Sequence, residues 1–286
     1  MNYPFTFSRT FQLTTLGLTV FFLFPLMPQK LSALCPQKPK PRLSINKDDV
    51  YKNYPFSPNE SAHYTVYWSG LHAGTAILKV NQAEKIKNFW HVAFSMEAQT
   101  GEWFKHIYIA KYAAKAFSRP EDLAIIKFHL FEYRDPPFSA TFKELKTILY
   151  DHENTCKVYE SIETNNKPAK GDKSELEPGA IDALSAFYKL RTYNYQVGKK
   201  QRFLTFSSKK NWWLEAKPLK EEKIEVNAGT FMSMKIKLDT YFGKELQQKG
   251  EVYVWIASKD PRHPMVKIEG DVKLGSVYML LDKISS

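Results

Sequence analysis

The chain has 286 residues, of which 43% are hydrophobic and 15% aromatic, and its 41 basic and 30 acidic side chains give a formal net charge of +11. This length and apolar content suffice for one large domain or two small ones, and they exclude a disordered chain, a collagen-like fibre and a small disulfide scaffold. The excess of positive charge favours an anionic partner or surface.

The first 35 residues have the features of a secretory signal peptide. They contain no acidic residue, one early positive charge at Arg9 and an apolar stretch over 11–27, followed by small or polar residues up to Cys35. A basic start, an apolar centre and a small-residue end are typical of export. The apolar stretch is short and interrupted for a membrane span, which needs about 20 residues. We therefore predict a periplasmic protein with a signal peptide over 1–35.

The end of this segment has two interpretations. Leu31 and Ala33 fit an ordinary cleavage site after Ala33, which would release a soluble periplasmic chain. Lipidation of Cys35 would instead anchor the protein to a membrane, although Leu34 stands where a small residue is usual. We predict Cys156, the other cysteine, to be a buried thiol, because two cysteines do not make a disulfide framework.

Residues 36–60 contain five prolines and several lysines with little apolar periodicity. Such a composition favours an extended, semi-rigid chain. We predict a tether that contributes nothing to the core and holds a β-rich domain, over 61–286, away from a membrane.

From residue 63 onward, apolar and polar residues alternate with the period of a β-strand. Two such runs flank a turn predicted over Gly70–Gly74, which indicates a hairpin, and a later run places Trp90, Val92, Phe94 and Met96 on one face. Similar runs recur up to the end of the chain. We predict a mainly β domain whose antiparallel sheet curls into an open or closed barrel-like shape.

One segment has the period of a helix instead. Between residues 179 and 191 the apolar positions share one helical face, with Pro178 just ahead and Asp182 in the expected first turn. We predict one short helix of about three turns that caps or fills one end of the sheet. The polar stretch Glu163–Glu177 is predicted to be a loop between two groups of strands.

Motifs for catalysis and for metal binding are missing from the sequence. The seven histidines form neither an HExxH motif nor another close pair with zinc-ligand spacing, and Ser185 does not lie in a G-x-S-x-G motif. We therefore predict no enzyme, no cofactor and no metal site.

The stretch from Lys199 to Lys220 combines seven cations and one acidic residue with two adjacent tryptophans. Exposed indole rings between lysines suit an anionic lipid headgroup or membrane surface. We name Trp212, Trp213, Lys209 and Lys210 as candidate ligand-binding residues. The alternative is a hairpin with a solvated basic face and tryptophans in the core. Nucleic acid is not expected as a partner, because an exported protein rarely meets it and no binding motif is present.

Separate blocks of sequence resemble a known family. They are YTVYWSGLHAGTA over 64–76, DALSAFYKLR over 182–191, WIASKDPRHPMV over 255–266 and GSVY over 275–278. In this order, over about residues 60–283, the chain resembles the bacterial exported family known as domain of unknown function 3108. The resemblance implies an envelope protein with a β-rich fold, and it implies no catalytic residue.

Charged residues within these blocks have structural interpretations. Asp260 followed by Pro261 predicts a turn, because proline fixes φ and the carboxylate bonds to the turn backbone. We expect Arg262 to pair with Asp260, and Arg191 to reach a carboxylate from the helix.

Three functions remain open at this stage. The leading hypothesis is an exported, non-catalytic envelope protein that binds a lipid or other amphiphile in an aromatic-lined groove of the curled sheet. The second is a structural or interaction module that binds an envelope protein partner. The third is an envelope hydrolase for glycan or lipid, which would need acidic or histidine side chains converging in a cleft.

Overall fold

The computed structural model describes residues 44–106, 108–136, 139–152, 156–247, 250–271 and 275–285. These residues form sixteen β-strands, one α-helix and two short 3-10 helices. The helix, α1, spans Ala183–Arg191, and the 3-10 helices span Lys47–Asp49 and Phe104–His106. The strands, in chain order, are β1 (Ser61–Trp68), β2 (Leu71–Val80), β3 (Glu84–Ile86), β4 (Phe89–Thr100), β5 (Ile109–Ser118), β6 (Ile125–Asp135), β7 (Phe142–Asp151), β8 (Lys157–Thr164), β9 (Lys170–Glu175), β10 (Gln201–Ser207), β11 (Lys210–Val226), β12 (Gly229–Phe242), β13 (Glu245–Leu246), β14 (Val252–Ala257), β15 (Met265–Asp271) and β16 (Ser276–Ser285).

The strands form one antiparallel sheet in the order β10-β11-β12-β14-β15-β16-β1-β2-β4-β5-β6-β7-β8-β9. The short strands β13 and β3 pair with β12 and β4. No ladder joins the end strands β9 and β10 within the residues that the structure describes, so the sheet is curled but not closed. This confirms the predicted mainly β fold and selects its open form.

Side chains connect the two ends of the sheet where the ladder does not. Asn211 donates from Nδ2 to the carbonyl oxygen of Glu175 at 3.1 Å, and its Oδ1 accepts from the backbone N–H of Glu177 at 3.0 Å. Lys209 pairs with Asp172 of β9. These contacts bring the β10–β11 hairpin against the end strand β9.

The stretch Glu163–Glu177 is not one loop, because residues 170–175 form β9. Its polar sequence KGDKSE gives no apolar alternation, and this is why the prediction of a loop is wrong. Strand β9 pairs only with β8 among the described strands, and its first four residues are exposed. A strand with such exposure needs no apolar face, so its pattern does not differ from that of a loop.

Helix α1 begins at Ala183, four residues later than the sequence pattern over 179–191 indicates. Asp182 precedes it as the N-cap, with extended backbone, and accepts from the backbone N–H groups of Leu184 at 2.8 Å and Ser185 at 3.1 Å. The carboxylate thereby satisfies two of the amide groups that have no partner within the helix. Burial raises the pKa of Asp182 despite these bonds.

The helix lies inside the curled sheet and packs against the segment before β1. The ring of Tyr188 stacks on Phe94 of β4 at 3.9 Å between centroids, and Phe56 meets Tyr188 edge-on at 5.3 Å. Phe56, Val50 and Tyr51 belong to the main core. The prediction that residues 36–60 contribute nothing to the core is therefore wrong for this part of the segment. The prolines and lysines around these apolar residues made the whole segment resemble a tether.

A buried ion pair joins the helix to the same segment. Arg191, at the end of α1, donates to both carboxylate oxygens of Glu60, at 2.6 and 2.9 Å. The two residues are 3% and 2% exposed. The guanidinium also donates to the carbonyl oxygen of Arg262 at 2.7 Å and lies over the rings of Phe56 and Tyr188. This confirms that Arg191 reaches a carboxylate.

The turn between β14 and β15 supplies that carbonyl group. Asp260 accepts from the Arg262 backbone N–H at 2.9 Å and from its guanidinium at 3.0 and 2.8 Å, so the expected pair is present. His263, with a positive φ of 47°, lies 3.0 Å through Nδ1 from the carbonyl oxygen of Arg191. The turn and the end of α1 are therefore held together on both sides of the ion pair.

We predict that Arg191→Met lowers the free energy of unfolding by about 3–5 kcal/mol, because it leaves the Glu60 carboxylate buried without its partner. Denaturant unfolding at neutral pH measures this. The double variant with Glu60→Met is expected to recover part of the loss. The matched change Arg202→Met, at an exposed arginine over Trp213, is expected to cost less than about 1 kcal/mol. A loss below 1 kcal/mol for Arg191→Met would contradict the account.

We also predict a pH-dependent contribution from Asp260. Its hydrogen bond with Arg262 lowers the pKa of the carboxyl below its ordinary 3.8, so the group stabilises the fold above that pH and loses this effect as the pH falls through the lowered value. Asp260→Asn should cost at most about 1 kcal/mol at pH 7, since Arg262 is about one third exposed. Urea unfolding from pH 7 downward should show this difference shrinking below pH 4. A constant difference would contradict it.

Candidate functional site

A cavity of about 90 Å³ lies between the sheet and helix α1. Its walls come from β1, β2, β4, β5, β6 and β16 together with the segment Phe104–Tyr108, and the first turn of α1 and Phe187 cover one side. Most of the lining side chains are apolar. Apolar cavities of this kind stay free of ordered water and accept apolar ligands.

Small residues at inward positions create this space. Ala76 of β2 pairs with Ala98 of β4, and Ala114 of β5 pairs with Met96 of β4, so small side chains lie side by side on the inner face. On the other half of the sheet, the inward positions of β12, β14 and β15 hold Ile236, Val254 and Ile268, which fill the interior. The cavity forms where alanines replace such residues.

Gly74, which lines the cavity, must be a glycine because the neighbouring strand comes very close to it. A Cβ atom at Gly74 would lie 2.1 Å from the backbone oxygen of Gln99 on the neighbouring strand. Gly74 lies within β2, and the turn consists of Ser69 and Gly70 alone. The turn predicted over Gly70–Gly74 is therefore too long, because this glycine serves strand packing rather than a turn.

Aromatic side chains line the cavity near the β1–β2 and β4–β5 connections. Trp68 meets Phe104 edge-on at 5.7 Å between centroids, and Tyr108 and Tyr112 extend this cluster along β5. Trp103, beside Phe104, is 61% exposed. The predicted aromatic lining is present, but residues that the sequence did not single out provide it.

The sequence-predicted ligand residues lie elsewhere. Trp212 is 2% exposed and donates from its indole N–H to the carbonyl oxygen of Ser207 at 2.9 Å, so the expected exposure of this ring is wrong. Trp213 is half-buried beneath the guanidinium of Arg202. For Trp212, the alternative of a tryptophan in the core is the one observed.

The two lysines of this predicted site are engaged within the protein. Lys209, in the β10–β11 turn, pairs with Asp172, and this hydrogen bond raises the pKa of the lysine. The ammonium group of Lys210 lies 5.3 Å from the ring centre of Phe242. Neither lysine nor either tryptophan lines the cavity. Contact of these four residues with a headgroup stays a prediction.

Other candidate chemical groups have structural partners. Ser185 is fully buried, and its hydroxyl lies 2.5 Å from the Asp182 carboxylate and 2.9 Å from the hydroxyl of Ser118. This chain of bonds fixes the start of α1. Within the described ranges, no group of three His, Cys, Asp or Glu side chains is placed to hold a metal ion.

Cys156 lies between β7 and β8, is 3% exposed and is disulfide-bonded. Its predicted burial is confirmed, and the predicted free thiol is wrong. Cys35, the predicted lipidation site, lies outside the described residues, as does the predicted signal peptide over 1–35.

Among the residues that the structure describes, no helix is long and apolar enough to span a membrane.

Solved structures resemble this fold. A β-barrel-like protein of the DUF1849 domain of unknown function from Brucella abortus aligns with a TM-score of 0.51 at 8% identity, over 80% of this chain and 97% of that one. At this identity the likeness concerns the fold alone, and it agrees with the open barrel-like sheet.

Two further structures align less well. A protein from Bacteroides fragilis, described as exported and with a YmcC-like fold, has a TM-score of 0.30 at 12% identity over 82% of this chain and 98% of that one. A protein from Parabacteroides distasonis, described as a lipoprotein, has a TM-score of 0.31 at 14% identity over the same shares.

In sequence, no curated protein matches the chain significantly. Residues 63–282 match the family described as Protein of unknown function (DUF3108). This range includes every strand from β2 to β15 and helix α1. The chain therefore belongs to the DUF3108 family.

Proposed function

We propose that the protein is an exported, non-catalytic envelope protein that binds an amphiphile, with the apolar part of the ligand in the cavity beneath α1. The observation that carries this proposal is the apolar cavity itself, which the alanines of β2, β4 and β5 leave open. A preformed concave space with a mostly apolar lining is typical of small-molecule sites and supports a role in binding.

The dimensions of the cavity limit what fits. At roughly 10–15 Å³ for each water-sized site, the 90 Å³ correspond to about six to nine such sites. This matches a segment of one acyl chain better than a whole lipid. The remainder of the ligand would extend past the aromatic cluster of Trp68 and Phe104 towards the exposed Trp103.

Export is supported by the sequence of the first 35 residues rather than by the fold. The mature chain is expected to begin at Leu34 or, if lipidated, at Cys35. Intact mass under non-reducing conditions distinguishes the two. A chain from Leu34 that gains two protons on reduction has an intrachain disulfide, and one from Cys35 with a diacylglyceryl increment is anchored. A retained segment before Ala33 would contradict export.

We predict that filling the cavity abolishes binding of an apolar probe. Ala114→Phe places a ring in the cavity, whereas Ala113→Phe places the same ring on the outer face of β5, because adjacent residues of a strand point to opposite faces. Titration of delipidated protein with the neutral fluorophore N-phenyl-naphthylamine should give saturable binding for the wild type and Ala113→Phe. Ala114→Phe should weaken binding at least about tenfold.

Both variants need a folding check by thermal unfolding, since overpacking costs about 1–3 kcal/mol. Ala98→Leu, which adds less volume at a lining position of β4 opposite Ala76 of β2, serves as the second filling variant. Equal binding by the wild type, Ala114→Phe and Ala98→Leu would place the probe elsewhere. Absence of saturable binding to the wild type would contradict the proposed function.

A further inference from the structure

Polar side chains lie on β5 and β6 next to the cavity. Tyr108 and Tyr112, both 5% exposed, line the cavity. The neighbouring strand places Glu132 opposite Tyr112 and Arg134 opposite Ala110, on the same face of the sheet. Two hydroxyls thus line the mostly apolar space, and one carboxylate and one guanidinium lie on the adjacent strand beside its lining residues.

The two hydroxyls lack well-aligned hydrogen bonds. Arg134 lies beside Tyr108 and Glu132 lies beside Tyr112, but neither hydroxyl has a partner in good geometry within the described part of the chain. A buried hydroxyl without a partner costs about 1–3 kcal/mol. Both groups are therefore able to donate to an acceptor that enters the cavity.

The guanidinium has spare donors as well. Arg134 pairs with Glu132 through Nε at 2.6 Å, and its side chain is 22% exposed. The ion pair uses Nε, and the guanidinium carbon lies 4.2 Å from the ring centre of Phe142, which leaves the terminal N–H groups available to an acceptor. Five N–H groups in a planar fork suit a carboxylate or phosphate.

The acidic residues near Arg134 form ion pairs with basic residues. Glu132 pairs with Arg134, and Glu144, the next acid on the same face, pairs with Lys146 at 3.3 Å. Burial raises the pKa of Glu132.

We infer that the ligand is an acyl amphiphile with a single oxyanion head, a carboxylate or a phosphate, which Arg134 and the hydroxyls of Tyr108 and Tyr112 bind while a segment of the chain occupies the apolar cavity. This inference rests on the proposed function and adds the chemical class of the ligand. It also assigns the head to the β5–β6 wall.

Displacement of N-phenyl-naphthylamine by four ligands of equal chain length tests it: dodecanoate, dodecyl phosphate, dodecanol and dodecylammonium. The wild type should bind dodecanoate, dodecyl phosphate or both about tenfold more tightly than dodecanol, as expected for charge-assisted hydrogen bonds. The two anions distinguish a carboxylate from a phosphate ligand. Dodecylammonium should bind most weakly.

Variants locate the head. Arg134→Gln should remove the tenfold preference for the anions over dodecanol, and Tyr112→Phe should lower this preference about threefold. Lys111→Gln is the matched control, because it removes a positive charge from the outer face of β5 and should keep the preference. If Arg134→Gln destabilises the fold, the double variant with Glu132→Gln removes both charges and leaves no carboxylate unpaired.

The outcomes separate the inference from the proposed function. Three results would overturn the oxyanion site: equal binding of dodecanoate, dodecyl phosphate and dodecanol, a preference that survives in Arg134→Gln, or tightest binding of dodecylammonium. Saturable dodecanol binding would in each case still support the apolar cavity. Failure of all four ligands and of the probe to bind the wild type would overturn both.

Discussion

The bidentate ion pair between Arg191 and Glu60 is the contact on which the interior arrangement depends. It lies where three parts of the chain meet: the segment before β1, the end of α1 and the turn after β14, which adds the carbonyl group of Arg262. Two buried charges are stable only when their hydrogen bonds are satisfied. These contacts therefore fix the position of the C-terminal end of α1. At the other end, the Asp182 cap is fixed by Ser185 and Ser118.

The cavity follows from a helix held at both ends inside a sheet of uneven lining. Large aliphatic residues fill the half formed by β12, β14 and β15, whereas alanines line β2, β4 and β5. Because α1 is fixed by polar contacts rather than by the packing of its own apolar face alone, it does not move inward to fill the space. A cavity retained at a cost in stability is the usual sign of a binding function.

The elements that could be predicted from the sequence are those with a strong period or a chemical requirement. The alternation in β4 and the helical spacing before Arg191 were visible, and so was the pairing of Asp260 with Arg262, because turn chemistry acts within three residues. Strand β9 and the packing of Phe56 were not, since their partners are distant in sequence and their own composition is that of a loop.

The type of candidate site could be predicted from the sequence, but its location could not. A curled sheet and aromatic clusters follow from composition and alternation, yet the expected exposure of Trp212 was wrong because a tryptophan between lysines packs equally well in a core. The signal that was missed is the inward run Ala110, Ala114 and Ala116, interrupted by Tyr112. Small residues at every second position of a strand mark a space that only the whole sheet defines.

The central claim is that the cavity under α1 carries an amphiphile in the cell, and native mass spectrometry of the protein purified from its own envelope tests it most directly. The account predicts a dissociable adduct of lipid size on the wild type and on Ala113→Phe, and its absence from Ala114→Phe. A wild-type protein that is consistently bare, or an adduct that persists on Ala114→Phe, would contradict it.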